Sequence, residues 1–231
     1  MIKDPPLLKI RRDFPRPSKK LLAGFAGVPT GYLVDAMGGG GCLDYRIKPL
    51  APSGTVMVGA AVTCLAGPSD NLALFGALHA AKKGDVLVAA TEAFTGAAIT
   101  GDLLLAMARN RGVAGLVTDG LVRDLVGILA VGLPVYCAGV TANSPARNGP
   151  GTVGLPIVLG GVSIEAGDII VGDGDGVVVV PLVEAQRVLA ALDHVKAAEA
   201  SLEAKVKNGL EIPDFIEEII KSNRIEEVRK L

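Results

Sequence analysis

Short apolar runs alternate with longer amphipathic stretches along most of the chain. Three of the apolar runs are Val86–Ala90, residues 115–117 and Val177–Val180. Runs this short and rich in Val and Leu are typical of strands buried on both faces, as in a parallel sheet. The segment 101–111, between the first two runs, is predicted to be a helix. The pattern therefore indicates an α/β or mixed domain.

Capping residues and turns predict the other elements. Ser69 or Asp70 can cap a helix that extends to about residue 82. Gly/Asp turns in the last third of the chain predict hairpins in a mixed sheet. The remaining predicted elements are helices over 17–38, interrupted at Pro29, and over 121–131, with strands over 55–65, 113–118, 134–138, 152–164, 168–172 and 176–181.

The C-terminal part of the chain is predicted to be helical. Residues 182–208 form one long amphipathic pattern, and a charged helix follows Pro213. A helix of this length has little core left to cover in such a domain, so we expect it to pack on another subunit. The predicted organisation is a core with N-terminal helices over 1–181 and a helical extension over 182–231.

Composition excludes several classes of protein. Of the 231 residues, 50% are hydrophobic and 20% are charged, which rules out a disordered chain. No apolar stretch approaches the roughly 18 residues of a membrane span, and the charged, proline-containing start predicts a cytoplasmic protein without a signal peptide. A net charge of −1 and few aromatic residues argue against a nucleic-acid partner, and the basic cluster over 9–16 is interpreted as a solvated arm. Three dispersed cysteines indicate neither a disulfide framework nor a thiolate zinc site.

Residues 101–124 carry the candidate chemistry. Asp102 follows one predicted strand, and Asp119, Arg123 and Asp124 follow the next. In a right-handed β-α-β arrangement the carboxyl ends of two such strands share one rim, where open α/β sheets bind ligands. We therefore expect these side chains to converge.

Each residue type in this segment has a chemical use. The helix start at Gly101, with the amides of Leu103 and Leu104, offers unpaired N–H groups to a carboxylate. Arg123 adds a permanently charged fork, and Asp102 and Asp124 add hard oxygens for Mg²⁺ or Mn²⁺. The alternative is that Arg123 and Asp124 are an exposed pair at a helix start and that Asp102 is a cap. The residues alone leave both interpretations open.

The spacing D-x20-R-D, formed by Asp102, Arg123 and Asp124, resembles the signature of the class II pyruvate aldolases that cleave 4-hydroxy-4-methyl-2-oxoglutarate and 4-carboxy-4-hydroxy-2-oxoadipate. These enzymes belong to the superfamily of the regulator of ribonuclease activity A. The resemblance covers nearly the whole chain. It includes the segments PTGYLVDAMGG, DNLAL, KKGDVLVA, GVAGLVTDGLVRD, SPARNGPG and AGDIIVGDGDGVVVVP.

The resemblance implies a swivelling α/β/β fold with mixed sheets, assembled as trimers or hexamers with active sites between subunits. It also implies a divalent metal, Mg²⁺ or Mn²⁺, and no organic cofactor. In such a site Asp124 holds the metal largely through water and Asp102 orders the waters. By the same resemblance, Arg123 and the amides of Leu103 and Leu104 bind the pyruvate portion.

Three further residues are implied by the resemblance. Glu199 matches an acidic position that reaches a neighbouring subunit's site. Asn71 and Arg147 face the distal half of the substrate. The expected activity is cleavage of a 4-hydroxy-2-oxo di- or tricarboxylic acid to pyruvate and a second 2-oxo acid, with oxaloacetate decarboxylation as a secondary activity.

Two alternatives stay open at this point: a dedicated oxaloacetate decarboxylase, and a non-catalytic protein that binds a ribonuclease as the regulator does. The regulator branch is shorter, lacks the long C-terminal helices and does not keep the Arg-Asp pair, which favours an enzyme. The lysines occur in turns, helices or tails and not in an apolar strand, which disfavours a Schiff-base aldolase. The glycines of GDGDG, over 172–176, are interpreted as hairpin turns because they do not open a helix.

Overall fold

The computed structural model describes residues 4–51 and 56–228. The chain divides into two compact units, the first ending at Leu192 and the second beginning at Asp193. The strands are β1 (Leu8–Ile10), β2 (Lys48–Pro49), β3 (Met57–Leu65), β4 (Val86–Ala90), β5 (Ala98–Thr100), β6 (Gly115–Thr118), β7 (Leu121–Val122), β8 (Val135–Cys137), β9 (Gly139–Val140), β10 (Gly151–Val153), β11 (Ile157–Leu159), β12 (Val162–Ile164), β13 (Ile169–Gly172) and β14 (Val177–Val180). The helices are α1 (Lys19–Ala23), α2 (Thr30–Ala36), α3 (Leu72–Ala80), α4 (Asp102–Asn110), α5 (Leu125–Val131), α6 (Ala185–Lys207) and α7 (Asp214–Ile220).

The main sheet of the first unit has the strand order β1-β10-β3-β4-β6-β8-β2. Its centre, β3-β4-β6-β8, is parallel, and α3, α4 and α5 occur in the three successive crossovers. The first half of β3 also pairs with β13, which forms an antiparallel hairpin with β14. The predicted strand over 55–65 begins at Met57; Thr55 lies outside the described residues. A mixed sheet with a parallel centre is thereby confirmed.

The two faces of the main sheet bury different layers. On β4, Leu87 and Ala89 belong to a core that contains residues of α3, α4 and α5, whereas Val86 and Val88 belong to a core formed with β11 to β14. Alternate side chains of a strand point to opposite faces, so one short strand serves both cores. The order helices, sheet, hairpins is the α/β/β arrangement, and the predicted fold class is confirmed.

A second, three-stranded parallel sheet with the order β5-β7-β9 was not predicted. The sequence predicts a helix over 121–131, but residues 121–122 form β7 and the helix begins only at Leu125. Two features separate strand from helix. Asp124 has a left-handed backbone (φ 62°), and the Arg123 N–H donates to the Thr100 carbonyl at 3.0 Å. The predicted start of this helix is therefore wrong by four residues.

The basic N-terminal segment is not a solvated arm. Leu8 of β1 pairs in parallel with Gly151 of β10, so this segment adds an edge strand to the main sheet. The Arg16 guanidinium donates to both carboxylate oxygens of Asp85 at 3.0 to 3.3 Å, and Asp85 is buried. A buried carboxylate needs such a partner, which ties the segment to the first unit.

The second unit contains residues 193–207 of α6, which are most of that helix, and all of α7. Helix α6 follows a single helical turn over 182–184 and extends to Lys207, close to the predicted range of 182–208. Within this unit, large apolar side chains are exposed at Val206, Ile212 and Phe215. Among the helices of the described residues, none is both long and apolar enough to cross a membrane. Packing of the C-terminal helices on another subunit stays a prediction.

Candidate active site

Two strand-to-helix connections lie side by side where β5 and β7 end. Strand β5 ends at Thr100 and α4 begins at Asp102; strand β7 ends at Val122 and α5 begins at Leu125. Because Thr100 and Val122 are partners in the small sheet, the residues that follow them are neighbours. The small parallel sheet thus brings together the two halves of the D-x20-R-D motif.

The two carboxylates of the motif each lie against a glycine of the opposite connection. The Asp124 carboxylate lies against Gly101, and the Asp102 carboxylate lies against Gly127 in the first turn of α5. A methyl group at either glycine would overlap with a carboxylate oxygen. Asp124 has φ 62° and ψ 48°, a left-handed conformation that Asp adopts more readily than most residues. Both carboxylates are therefore positioned by close backbone packing.

Two neighbours hold the Arg123 guanidinium, which is still partly exposed in the cleft. Its Nε lies 3.2 Å from Asp124 Oδ2, and Nη1 donates to the Ser144 hydroxyl. The Arg123 and Asp124 side chains are 37% and 43% exposed. Both groups are therefore oriented by neighbours and still accessible to a ligand.

The start of α4 lacks a side-chain cap at Gly101. The Leu103 N–H, one of the two amides expected to bind the substrate carboxylate, donates to Asp102 Oδ1 at 2.7 Å. The Leu104 N–H occupies a position that has no partner within a helix. Of the two predicted amides, that of Leu103 is therefore engaged by the Asp102 side chain, whereas that of Leu104 has no partner within its helix.

Asn71 and Arg147 meet on the other side of the cleft. Asn71 Oδ1 accepts a hydrogen bond from Arg147 Nε at 3.1 Å, and the Arg147 guanidinium lies 4.8 Å from the centroid of the Phe75 ring. Asn71 is buried. The chain carries Arg147 on the loop after β9, the same loop that carries Ser144.

These residues line one cleft of about 470 Å³. Of the predicted site residues, the structure brings together Asn71, Gly101, Asp102, Leu103, Leu104, Arg123, Asp124 and Arg147, and Phe75, Thr100, Met107, Ser144 and Pro145 complete the lining. Glu199 is exposed on α6 in the second unit, so its predicted role stays a prediction.

Asp119 does not join the cleft, contrary to the expectation from its place after β6. Its buried carboxylate accepts hydrogen bonds from Thr91 N (2.6 Å), Thr91 Oγ1 (3.0 Å) and Ala93 N (2.9 Å). It thereby fixes the loop after β4. Ser144 and Phe75 line the cleft but were not singled out from the sequence, because nothing in their local pattern distinguishes them from ordinary loop and helix residues.

The cleft fits a hard, partly hydrated divalent ion. Mg²⁺ typically takes one or two carboxylates directly and keeps several waters, and Asp102 and Asp124 supply that number of carboxylates in an open cleft. Within residues 4–51 and 56–228, no three His, Cys, Asp or Glu side chains lie so that they could hold one metal ion together. A closed zinc site of three or four side chains is therefore not formed by the described part of this chain.

Comparison with known proteins finds relatives that cover most of the chain. A relative from Halalkalibacterium halodurans with the name "Putative 4-hydroxy-4-methyl-2-oxoglutarate aldolase" is 37% identical over 197 residues, or 85% of this chain and 93% of the relative. A solved structure of a protein from Pseudomonas syringae pv. tomato has a TM-score of 0.74 at 26% identity and covers 85% of this chain and 96% of its own. Streptomyces coelicolor RraAS2, described as an unusual member of the RNase ES inhibitor RraA protein family, has a TM-score of 0.72 at 29% identity and covers 82% and 98%.

The family model RraA-like, described as Aldolase/RraA, matches residues 30–179. This range contains the parallel centre of the main sheet, the small sheet and every residue that lines the cleft. Family, fold and cleft therefore coincide in one segment of the sequence, and the chain belongs to the RraA-like (Aldolase/RraA) family.

Proposed function

We propose that this protein cleaves a 4-hydroxy-2-oxo di- or tricarboxylic acid, of the 4-hydroxy-4-methyl-2-oxoglutarate type, to pyruvate and a second 2-oxo acid. The observation that carries the proposal is the convergence of Arg123, Asp124 and Asp102 with the open start of α4 in one cleft. The name of the H. halodurans relative supports the same reaction class.

Arg123 is suited to bind the pyruvate end of the substrate. Its planar fork can contact a carboxylate and the adjacent 2-oxo oxygen together, and the Leu104 N–H at the start of α4 can donate to the same carboxylate. The contacts with Asp124 and Ser144 fix the direction of the guanidinium. Orientation of this kind lowers the entropic part of the barrier.

Cleavage of the C3–C4 bond leaves its electron pair on the pyruvate fragment as an enolate, with negative charge on the C2 oxygen. Arg123 is placed to stabilise that charge. A Mg²⁺ or Mn²⁺ ion held by Asp124 and Asp102 would, when bound, act as a Lewis acid toward the same oxygen. Asp102 is placed to orient a water that takes the proton of the C4 hydroxyl and returns a proton to C3 of the enolate, which gives pyruvate. Among the described residues that line the cleft there is no histidine for this task.

The same cleft is suited to decarboxylate oxaloacetate as a secondary activity. Loss of CO₂ from C4 of oxaloacetate leaves the same enolate, and the contacts that stabilise it are unchanged. A protein dedicated to oxaloacetate would use the same residues at the pyruvate end. The distinction therefore depends on the distal side of the cleft, at Asn71 and Arg147.

A second candidate function is favoured by the similarity to RraAS2, whose description names it a member of an RNase ES inhibitor family. In that case the surface of the protein, and not the cleft, would be the functional site. The two candidates separate cleanly, because a substitution inside the cleft abolishes catalysis and leaves surface binding intact.

The deciding experiment measures pyruvate release from 4-hydroxy-4-methyl-2-oxoglutarate and from oxaloacetate, with Mg²⁺, with Mn²⁺ and with EDTA. We expect metal-dependent release from the first substrate, loss of release in Asp124→Asn, and normal release in the control Asp35→Asn, whose carboxylate is exposed on α2. Release from oxaloacetate alone would favour the decarboxylase. No turnover of either substrate by the metal-loaded oligomer would overturn the proposed reaction, and binding of a ribonuclease by Asp124→Asn would then favour the regulator.

A further inference from the structure

Phe75 lines the cleft without a role in the proposed chemistry. It lies on α3, half-buried, with its inner side against the helix-side core of the first unit. Its ring faces Arg147, whose guanidinium carbon lies 4.8 Å from the ring centroid. This distance is within the range in which a guanidinium is attracted to the face of an aromatic ring.

The Arg147 guanidinium is also restrained at its Nε. That group donates to Asn71 Oδ1 at 3.1 Å, and Asn71 is only 4% exposed, so the acceptor itself is fixed by burial. Two restraints therefore act on one planar group: the Phe75 ring, which the guanidinium lies over, and the Asn71 amide oxygen at its Nε. Among the described residues, no acceptor is recorded for the two terminal nitrogens of Arg147, whose edge remains available to a ligand in the cleft.

The backbone around Arg147 is anchored to the same part of the first unit. The Asn71 N–H donates to the Ala146 carbonyl at 3.1 Å, and the Asp70 carboxylate accepts from the amides of Asn148 and Gly149. The residues on both sides of Arg147 are thus held to the start of α3. The remaining freedom lies in the long side chain, which is the part that Phe75 and Asn71 restrain.

Restraint of this side chain has a consequence for ligand binding. A free arginine side chain has many rotamers, and a planar fork that is already oriented loses less conformational entropy when it binds a carboxylate. Leucine at position 75 would preserve apolar packing but would not attract the guanidinium. Methionine at position 147 would keep a long side chain but would have neither the charge nor the Nε donor, so the ring would have no cation to attract.

We propose that Phe75 is a positioning residue that holds the Arg147 guanidinium in the orientation that binds the distal carboxylate of the substrate. The inference rests on the proposed function for the identity of the substrate. The Phe75 ring makes no predicted contact with the reacting atoms and acts only through Arg147.

The test uses two unreactive probes in the presence of Mg²⁺: 2-oxoglutarate, which has a distal carboxylate, and pyruvate, which does not. Binding of each probe is measured by isothermal titration calorimetry with the full-length chain. We expect Phe75→Leu to weaken 2-oxoglutarate binding by roughly 3- to 10-fold and pyruvate binding by less than about 2-fold. Phe75→Tyr, which keeps the ring, should bind both probes normally, as should the matched control Phe94→Leu on the loop after β4.

A double-mutant cycle identifies the group through which the ring acts. In the Arg147→Met background, Phe75→Leu should have no further effect on 2-oxoglutarate, because the cation on which the ring acts is absent. The Arg147 Nε–H resonance, assigned by its absence in Arg147→Met, should shift in Phe75→Leu and not in Phe75→Tyr. This second measurement does not depend on any activity.

Three results would overturn the inference: equal weakening of both probes by Phe75→Leu, persistence of its effect in Arg147→Met, or an Nε–H resonance that does not respond to loss of the ring. Pyruvate release by the same preparations is measured separately. A wild-type protein that binds 2-oxoglutarate through a Phe75-dependent Arg147 but releases no pyruvate would contradict the proposed reaction and leave the positioning role supported.

Discussion

At the scale of single residues, the cleft depends on two positions without side chains. Gly101 and Gly127 give the carboxylates of Asp124 and Asp102 the space that they occupy. The backbone of Gly101 has φ −135° and ψ −169°, an extended conformation that any residue adopts. The requirement for glycine at position 101 is therefore steric and specific to the carboxylate beside it.

This reasoning predicts the outcome of Gly101→Ala. The added methyl group would displace the Asp124 carboxylate and the guanidinium bound to it, so we expect kcat/KM for pyruvate release to fall roughly 10- to 100-fold, as small displacements in active sites do. The melting temperature should change little, because the extended backbone at position 101 accepts any residue and the methyl group would meet mainly the end of the partly exposed Asp124 side chain. Gly174→Ala, where a methyl group would enter open space, is the matched control. Unchanged activity in Gly101→Ala would show that the carboxylate position is not critical.

Arg123→Lys tests whether charge alone is sufficient at the pyruvate end. Lysine keeps the charge but loses the planar fork that reaches Asp124 and Ser144. Steady-state kinetics should show kcat/KM reduced by roughly 10²- to 10³-fold, the usual cost of removing one donor at a developing oxyanion. Arg187→Lys is the control. Arg187, in the first turn of α6, forms an exposed ion pair with Glu184, and its substitution should leave kcat/KM unchanged. Full activity in Arg123→Lys would assign the role of Arg123 to charge only.

The sequence correctly predicts that Asp102, Arg123 and Asp124 lie in one cleft, but it does not predict which way the Asp119 side chain points. The spacing of Asp102, Arg123 and Asp124 follows from the two connections that carry them. Asp119 belongs to the same run of sequence, yet it points to the amides of the loop after β4. Side-chain direction at the end of a strand depends on neighbouring loops, which a pattern of residue types does not describe.

At the scale of elements, the small sheet β5-β7-β9 controls the geometry of the site. Its strands have only two or three residues, so they show no periodicity from which they could be predicted. The longer elements were predicted well: Val86–Ala90 coincides with β4, and 101–111 contains α4. Convergence of the motif could be predicted from β-α-β topology, but its cause, the pairing of Thr100 with Val122, could not.

Helix α2 shows how one element is capped by another that is distant in sequence. Asp173, in the turn between β13 and β14, accepts hydrogen bonds from the N–H and hydroxyl of Thr30 at 2.8 Å each. Partial burial raises the pKa of Asp173, but the hydrogen bonds from Thr30, Asp175 and Gly176 together outweigh it, and the pKa is lowered from 3.8. The charged form is therefore favoured in the folded protein.

The sign of this shift predicts a pH dependence. A carboxyl group with a lower pKa in the folded state stabilises the protein above its unfolded pKa and ceases to do so as the pH falls through the folded value. Asp173→Asn should lower the free energy of unfolding by about 0.5–1 kcal/mol at pH 7, and the difference should vanish as the pH falls below about 3.8. Urea unfolding at several pH values measures it, with the exposed Asp35→Asn as control. A difference that stays constant over this range would contradict the capping role.

At the scale of the whole molecule, large apolar side chains are exposed on the two helices that follow the D-x20-R-D residues, and two of them line the cleft. Leu103 and Met107 of α4, and Val126 and Leu129 of α5, are all exposed, Val126 by 83%. Exposed apolar clusters of this kind mark interaction sites more often than free surface. Large apolar side chains are also exposed in the second unit. Exposed apolar residues in both units are consistent with a homo-oligomer, which the resemblance to aldolases also predicts.

Glu199 tests whether the cleft is completed by another subunit. We expect the protein to have a native mass that is a multiple of 23.5 kDa, and we expect Arg123→Lys and Glu199→Gln to be poorly active when each is assembled alone. If Glu199 reaches a neighbouring subunit's cleft, mixed oligomers contain some sites that combine an intact Arg123 with an intact Glu199. In an equal mixture about one quarter of the sites have both, because the two residues are drawn independently from two subunits.

The measurement is pyruvate release after the two variants are unfolded together and reassembled, compared with the same variants reassembled apart. Recovery toward one quarter of the wild-type rate assigns Glu199 to the neighbour's site. A rate that equals the mean of the two separate variants would place Glu199 and Arg123 in the same subunit's site or remove Glu199 from catalysis. Mixing Arg123→Lys with Asp124→Asn is the control, since both residues lie in one cleft and no intact site can form from the pair.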